Sequence, residues 1–103
     1  MKRAVVAALV GVIAGGCSQS SLSPEAERGR QVYVAQCTAC HATDPSQAGP
    51  VGPPAKGSSR ALLEAKLLRG EYPAGYRPKR STKVMPPQLQ ATGEIGALAA
   101  YLQ

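Results

Sequence analysis

The chain contains no phenylalanine and no tryptophan, and its only aromatic side chains are four tyrosines. Large aromatic rings contribute heavily to an ordinary core, so the side chains of this one supply a thin interior. A small domain with a thin core needs a staple, and composition alone therefore favours a bound cofactor without saying which. Histidine is almost absent as well. His41 is the only one, which excludes any centre built from several imidazoles. Acidic residues are outnumbered six to twelve, for a net charge of +6. No alternating pattern of apolar and polar residues marks a strand, so the expected class is all-α. There are no internal repeats.

Against that background one short motif stands out: Cys37-Thr38-Ala39-Cys40-His41. The C-x-x-C-H spacing is that of covalent c-type haem attachment. Two thiols must reach two vinyl groups on one side of a porphyrin, and the following imidazole is then carried under the iron as a proximal ligand. A helical turn through these residues would put all three groups on one surface. Three other uses of the residues compete. A structural zinc site has three candidate ligands here and needs four; the remaining cysteine, Cys17, lies far upstream in a different kind of segment. A thioredoxin-like dithiol would open a helix after a strand, and no strand pattern precedes Cys37. A structural disulfide within the motif leaves His41 without a role. Haem c is the expected cofactor.

The first residues have the pattern of a targeting segment. Lys2 and Arg3 precede an apolar stretch of thirteen residues, Ala4 to Gly16, that ends in the small residues Ala14-Gly15-Gly16. A bilayer-spanning helix needs about 20 apolar residues, so residues 1–16 are expected to be a signal peptide. Export suits c-type haem chemistry, which handles thiols outside the cytoplasm. Cys17 follows the small residues directly, in a context like a bacterial lipoprotein signal, although Ala14 stands where leucine is usual. The same small residues would suit an ordinary signal peptidase. Lipidation of Cys17 is the expected outcome, with residues 17–23 as a short tether to a membrane surface and residues 24–103 as one domain.

Three helices are expected in that domain. Ser23 caps the first, Pro24 fits its first position, and Glu25 and Glu27 sit near its positive end. Ala26, Gly29 and Tyr33 then share a face leading to Cys37. The second runs from Ser59 to Arg69, with Leu63 and Leu67 four residues apart and Gly70 as its stop. The third starts after Thr92 and continues to Gln103, with Ile95, Leu98 and Leu102 on one side.

Together these motifs resemble the small monohaem class I cytochromes c over nearly the full length of the expected mature chain. Gly29 and Tyr33 stand eight and four residues before Cys37, where that family places a glycine and an aromatic. The segment Gly52-Pro53-Pro54-Ala55-Lys56-Gly57 is similar to the family's G-P-x-L-x-G, with Ala55 in place of leucine. Met85-Pro86 and the closing segment with Leu98 and Tyr101 match the distal ligand and last helix. The resemblance implies a class I cytochrome c fold, three to four helices wrapped around one covalent haem. It implies close packing of the first and last helices at Gly29 and Tyr101. Pro53 would offer its carbonyl to the outward ring nitrogen of His41, though a rigid Pro-rich turn also explains the segment. Met85 would be the sixth ligand, in a loop stiffened by Pro86 and Pro87.

The expected function is single-electron transfer between periplasmic or membrane redox partners, by a carrier and not an enzyme. Two alternatives share the motif: a haem subunit of a larger dehydrogenase or oxidase complex, and a five-coordinate haem sensor should Met85 not ligate. Arg77, Lys79, Arg80 and Lys83, with Tyr72 and Tyr76, lie on one loop. They could neutralise haem propionates, steer partners with acidic docking surfaces, or simply be solvated. Nucleic acid is not an expected partner, because no nucleic-acid-binding motif is present.

Overall fold

The computed structural model describes Gly11 and residues 21–103. The expected leader, Gly11 apart, lies outside the described residues, as do Cys17 and residues 18–20 of the tether. Three α-helices follow in order: α1, Pro24–Gln36; α2, Arg60–Arg69; and α3, Ile95–Leu102, which a 3-10 segment, Leu89–Glu94, leads into. No strand occurs among the described residues. The fold is all-α.

Local chemistry sets the helix ends. The Ser23 hydroxyl accepts from the Ala26 amide at 3.1 Å, and Ser59 does the same for Leu62 at 3.1 Å, so each satisfies an amide that the first turn leaves unpaired. Helix α2 stops at Gly70, which takes the left-handed conformation with φ of 67°. The amides of Gly70 and Glu71 then close back on the carbonyls of Lys66 and Ala65, each at 3.0 Å, a Schellman ending that a side chain at 70 would strain.

The last helix begins later than its sequence suggests. Residues 93 and 94 belong to the tighter 3-10 segment, in which the Thr92 hydroxyl folds back on the Leu89 carbonyl at 2.6 Å. Just before it, the Gln88 amide is pinned to the Leu67 carbonyl at 2.7 Å. The chain must turn sharply between that anchor and α3, and a 3-10 turn covers the distance with fewer residues per turn.

Helix α1 lies directly on α3. A Cβ at Gly29 would overlap the Ala97 carbonyl and come within 2.9 Å of the Tyr101 Cβ, so the backbones approach as only glycine allows. Beside this crossing the Tyr33 and Tyr101 rings meet at 5.7 Å. Tyr33 and Leu98 are the largest fully buried side chains, and Leu63, Leu67, Ile95 and Leu102 complete the core around them. The remainder of the fold is two connections, residues 37–59 and 70–88, without helix or strand.

Candidate haem site

The motif residues sit where α1 ends. Cys37 is the C-terminal cap, its amide still bonded to the Tyr33 carbonyl at 2.9 Å. The chain then stays coiled for one more turn without being helix. The amides of Cys40 and His41 both donate to the Cys37 carbonyl, at 3.3 and 2.9 Å. This local turn brings Cys37, Cys40 and His41 to a single cavity. Cys37 is half-buried and Cys40 exposed, and both thiols are free. Burial pushes the Cys37 thiol above its ordinary value. Among the described residues, no group of three His, Cys, Asp or Glu side chains is arranged to hold a metal ion, so the zinc alternative finds no ligand set there.

His41 is held from two sides. Its Nδ1 lies 2.8 Å from the Pro53 carbonyl oxygen. A carbonyl can only accept, so Nδ1 carries the proton and Nε2 is the nitrogen left with a lone pair for a metal. Gly52 packs against the ring: a Cβ there would lie 2.6 Å from Nδ1 and 2.9 Å from Nε2. The turn that carries Gly52 and Pro53 is itself fastened to the motif, because the amides of Val51 and Gly52 share the Cys40 carbonyl at 3.1 and 2.7 Å. Tyr33 adds a further brace by donating its hydroxyl to the Ala42 carbonyl at 2.6 Å. Burial, helped by nearby Cys37, Tyr101 and Asp44, raises the Tyr33 phenol to about 12, so this donor keeps its proton.

Met85 lines the same cavity, half-buried against the core. The cavity measures about 370 Å³ and is walled by Cys37, Cys40, His41, Pro53, Ala55, Leu63, Leu67, Met85 and Leu98 among others. Its lining is largely apolar, with a few polar groups from the loop that precedes Met85, the usual make-up of a cofactor pocket. The chemistry of the donor set fits a haem: two unpaired thiols and an oriented imidazole at one turn, a thioether within the same walls, and apolar surface between. Ala55, in the leucine position of the resemblance, also lines the cavity and touches the core.

The basic loop is partly committed to structure. Lys79 Nζ donates to the carbonyls of Pro54 and Lys56 at 2.7 and 3.3 Å. An Arg80 guanidinium nitrogen donates to the Val51 carbonyl at 2.8 Å. These two cations thus tie the Met85 loop to the turn that orients His41, on either side of Pro53. Local sequence carries no sign of that pairing. A second feature was readable but missed. Lys66 stands three residues after Leu63 and one before Leu67, on the same helical face, and it lines the cavity with them.

On an all-helical frame, a C-x-x-C-H turn opening into such a cavity defines a small monohaem cytochrome c. Residues 24–102 match the family model described as cytochrome C oxidase, cbb3-type, subunit III, and the chain belongs to that family. No curated protein and no solved structure gives a match to the chain. Membership makes it a haem c protein of electron transfer. No helix among the described residues is long and apolar enough to cross a membrane.

Proposed function

We propose that the protein passes single electrons through one haem, bonded covalently to Cys37 and Cys40, with His41 and Met85 as axial ligands. The observation that carries this reading is the convergence of all four side chains on one cavity, with the His41 tautomer fixed by Pro53. When bound, the haem supplies a one-electron ferric/ferrous couple, and methionine ligation favours its reduced form. The chain's own contribution is positional. Pro53 fixes the ring that Gly52 allows to sit close, Pro86 and Pro87 stiffen the Met85 segment, and the apolar walls exclude water. With His41 and Met85 both holding the iron, the site would favour electron transfer over binding of small ligands.

Partner recognition falls to the loop beside the cavity. Residues 72–88 hold four basic residues and no acidic one. On the same side Val51 and Val84 are exposed at 45% and 63%, and they flank a shallow groove with Lys79 and Arg80. An apolar centre with a basic rim suits an acidic redox partner, whose approach such charge would steer. Lipidation of Cys17 would hold the protein on the periplasmic side of a membrane, close to such partners. The oxidase-subunit description of the family favours a second arrangement, in which the same haem serves permanently within a larger complex. Co-purification from membranes in mild detergent would separate that arrangement from a free carrier.

The test is the visible spectrum of the purified protein, oxidised and reduced, with and without carbon monoxide. The proposal requires sharp low-spin bands, a weak far-red ferric thioether band and no response to carbon monoxide. A high-spin spectrum that shifts with carbon monoxide would transfer the protein to the sensor reading.

A further inference from the structure

Lys66 is the unusual cation of this molecule. It is 8% exposed, although it lies on a short helix of a small protein. Lysine is almost never buried to that degree without a partner. Among the described residues, the four ion pairs all use arginine: Arg28 with Glu94, Arg30 with Glu27, Arg60 with Glu64 and Arg69 with Glu71. Among the same described residues no hydrogen bond engages the Lys66 ammonium. Its one polar contact is the face of Tyr72, whose ring centroid lies 4.3 Å from Nζ. Tyr72 is in turn stacked on Tyr76, with centroids 5.4 Å apart and planes 12° from parallel. All three side chains line the cavity that holds Cys37, Cys40, His41 and Met85.

Two features offset part of the cost of burying this charge, and neither removes it. The ring face attracts a cation. The negative C-terminal end of α2, whose last turn carries Lys66, adds a smaller attraction. Taking an ion out of water costs more than these two together supply. The side chain is largely buried and its ammonium opens only on the cavity, so a haem filling that space would strip the charge of water and calls for an anion on the group bound there. The loop cations are less suited to that task, because Lys79 and Arg80 are already donating to the carbonyls of residues 51, 54 and 56. Lys66 has its donors free.

We propose that Lys66, floored by the Tyr72–Tyr76 stack, binds a carboxylate of the haem within the cavity and thereby raises the potential of the iron. The inference rests on the haem reading above and adds to it a named partner for the cofactor's anionic edge. The sign follows from charge. A fixed cation near the iron disfavours the ferric state, which carries the extra positive charge, and a cation neutralising the carboxylate removes an anion that would favour it.

The experiment uses the full chain matured in cells that attach haem, with Lys66→Met and Lys66→Arg beside the parent. Methionine keeps an unbranched side chain over Tyr72 and loses the charge together with its donors. Intact mass reports whether one haem is bound, and a spectroelectrochemical titration reports the midpoint. In Lys66→Met the ferrous-to-ferric ratio at fixed potential should fall at least about threefold, tenfold being about 59 mV for one electron. Lys66→Arg should restore the parent value to within about twofold, because charge and donors are kept. A haem-loaded Lys66→Met protein with the parent's midpoint would overturn the assignment. So would an Arg variant that falls as far as the Met variant, since packing and not charge would then be the cause. Should the Met variant fail to load haem, Lys66→Gln gives the same comparison with a polar neutral group. Absence of haem from the parent chain is a separate result, and it would remove the haem reading together with the inference built on it.

Discussion

The helices and the two long connections are held together by different means. Where α1 crosses α3, apolar surfaces press close, and the Arg28–Glu94 pair joins side chain to side chain at the rim. In the connections, side chains donate to main-chain carbonyls: His41 to Pro53, Tyr33 to Ala42, Lys79 to Pro54 and Arg80 to Val51. The first region is a packing problem and tolerates no change of volume. The second is a set of polar anchors that positions ligands while leaving the chain irregular. Changes to the helices should therefore cost the fold, and changes to the connections should cost the spectrum first.

The most severe break lies at the junction of the two regions. Cys37→Ala together with Cys40→Ala should abolish covalent haem entirely, as judged by intact mass and by haem staining of a denaturing gel. Next comes the helix crossing. Gly29→Val drives a branched side chain into the Ala97 carbonyl, and the strain should remove about 3 kcal/mol or more of stability, seen as an earlier urea midpoint. If that variant unfolds no sooner than the parent, close packing is not what holds α1 to α3.

Met85→Ala probes the other region. It should leave haem attached and the urea midpoint little changed, while the far-red band disappears, the ferrous protein binds carbon monoxide and the potential drops. Unchanged spectra would place the sixth ligand elsewhere. A smaller effect is expected from Arg80→Gln, which removes one charged donor to a main-chain carbonyl at a cost of about 1 kcal/mol. Its signature should be thermal bleaching of the far-red band at a lower temperature than in the parent, before any loss of helical circular dichroism.

The smallest effect concerns the Arg28–Glu94 pair at 2.6 Å. The Arg28 guanidinium holds the Glu94 carboxyl below its ordinary value. A carboxylate depressed in the folded state adds stability above its unfolded value, about 4.3. That stability is lost as pH falls through the lower folded value. Arg28→Ala should flatten this acid limb slightly, in a melting-temperature series from pH 6 down to about 3. Both groups are solvated, so the change is expected to be near the detection limit.

How much of this could be read from the residues follows the same division. Helical spacing, the two serine caps and Gly70 marked α1 and α2 because those signals are local, and the C-x-x-C-H turn is local too. The start of α3 was less legible, since the 3-10 segment answers to the anchoring of Gln88 on Leu67, a contact across about twenty residues of chain. The links from Lys79 and Arg80 to residues 51–56 were invisible for a related reason. A carbonyl acceptor has no letter of its own in a sequence. Lys66 was legible in principle from the face it shares with Leu63 and Leu67, but a lysine on a helix is ordinarily assigned to solvent.

The use of main-chain acceptors also bears on how such a sequence can drift. Val51, Pro53, Pro54, Lys56 and Ala42 each present a carbonyl whatever side chain they bear. Substitution at most of these positions keeps the acceptor and demands no compensating change at the donor. Val51, at the rim, is thus free to be remodelled toward new partners while the ligand set stays in place. Correlated substitutions between descendants of this chain would mark the helix crossing, and the anchors of the haem loops would leave little trace among them.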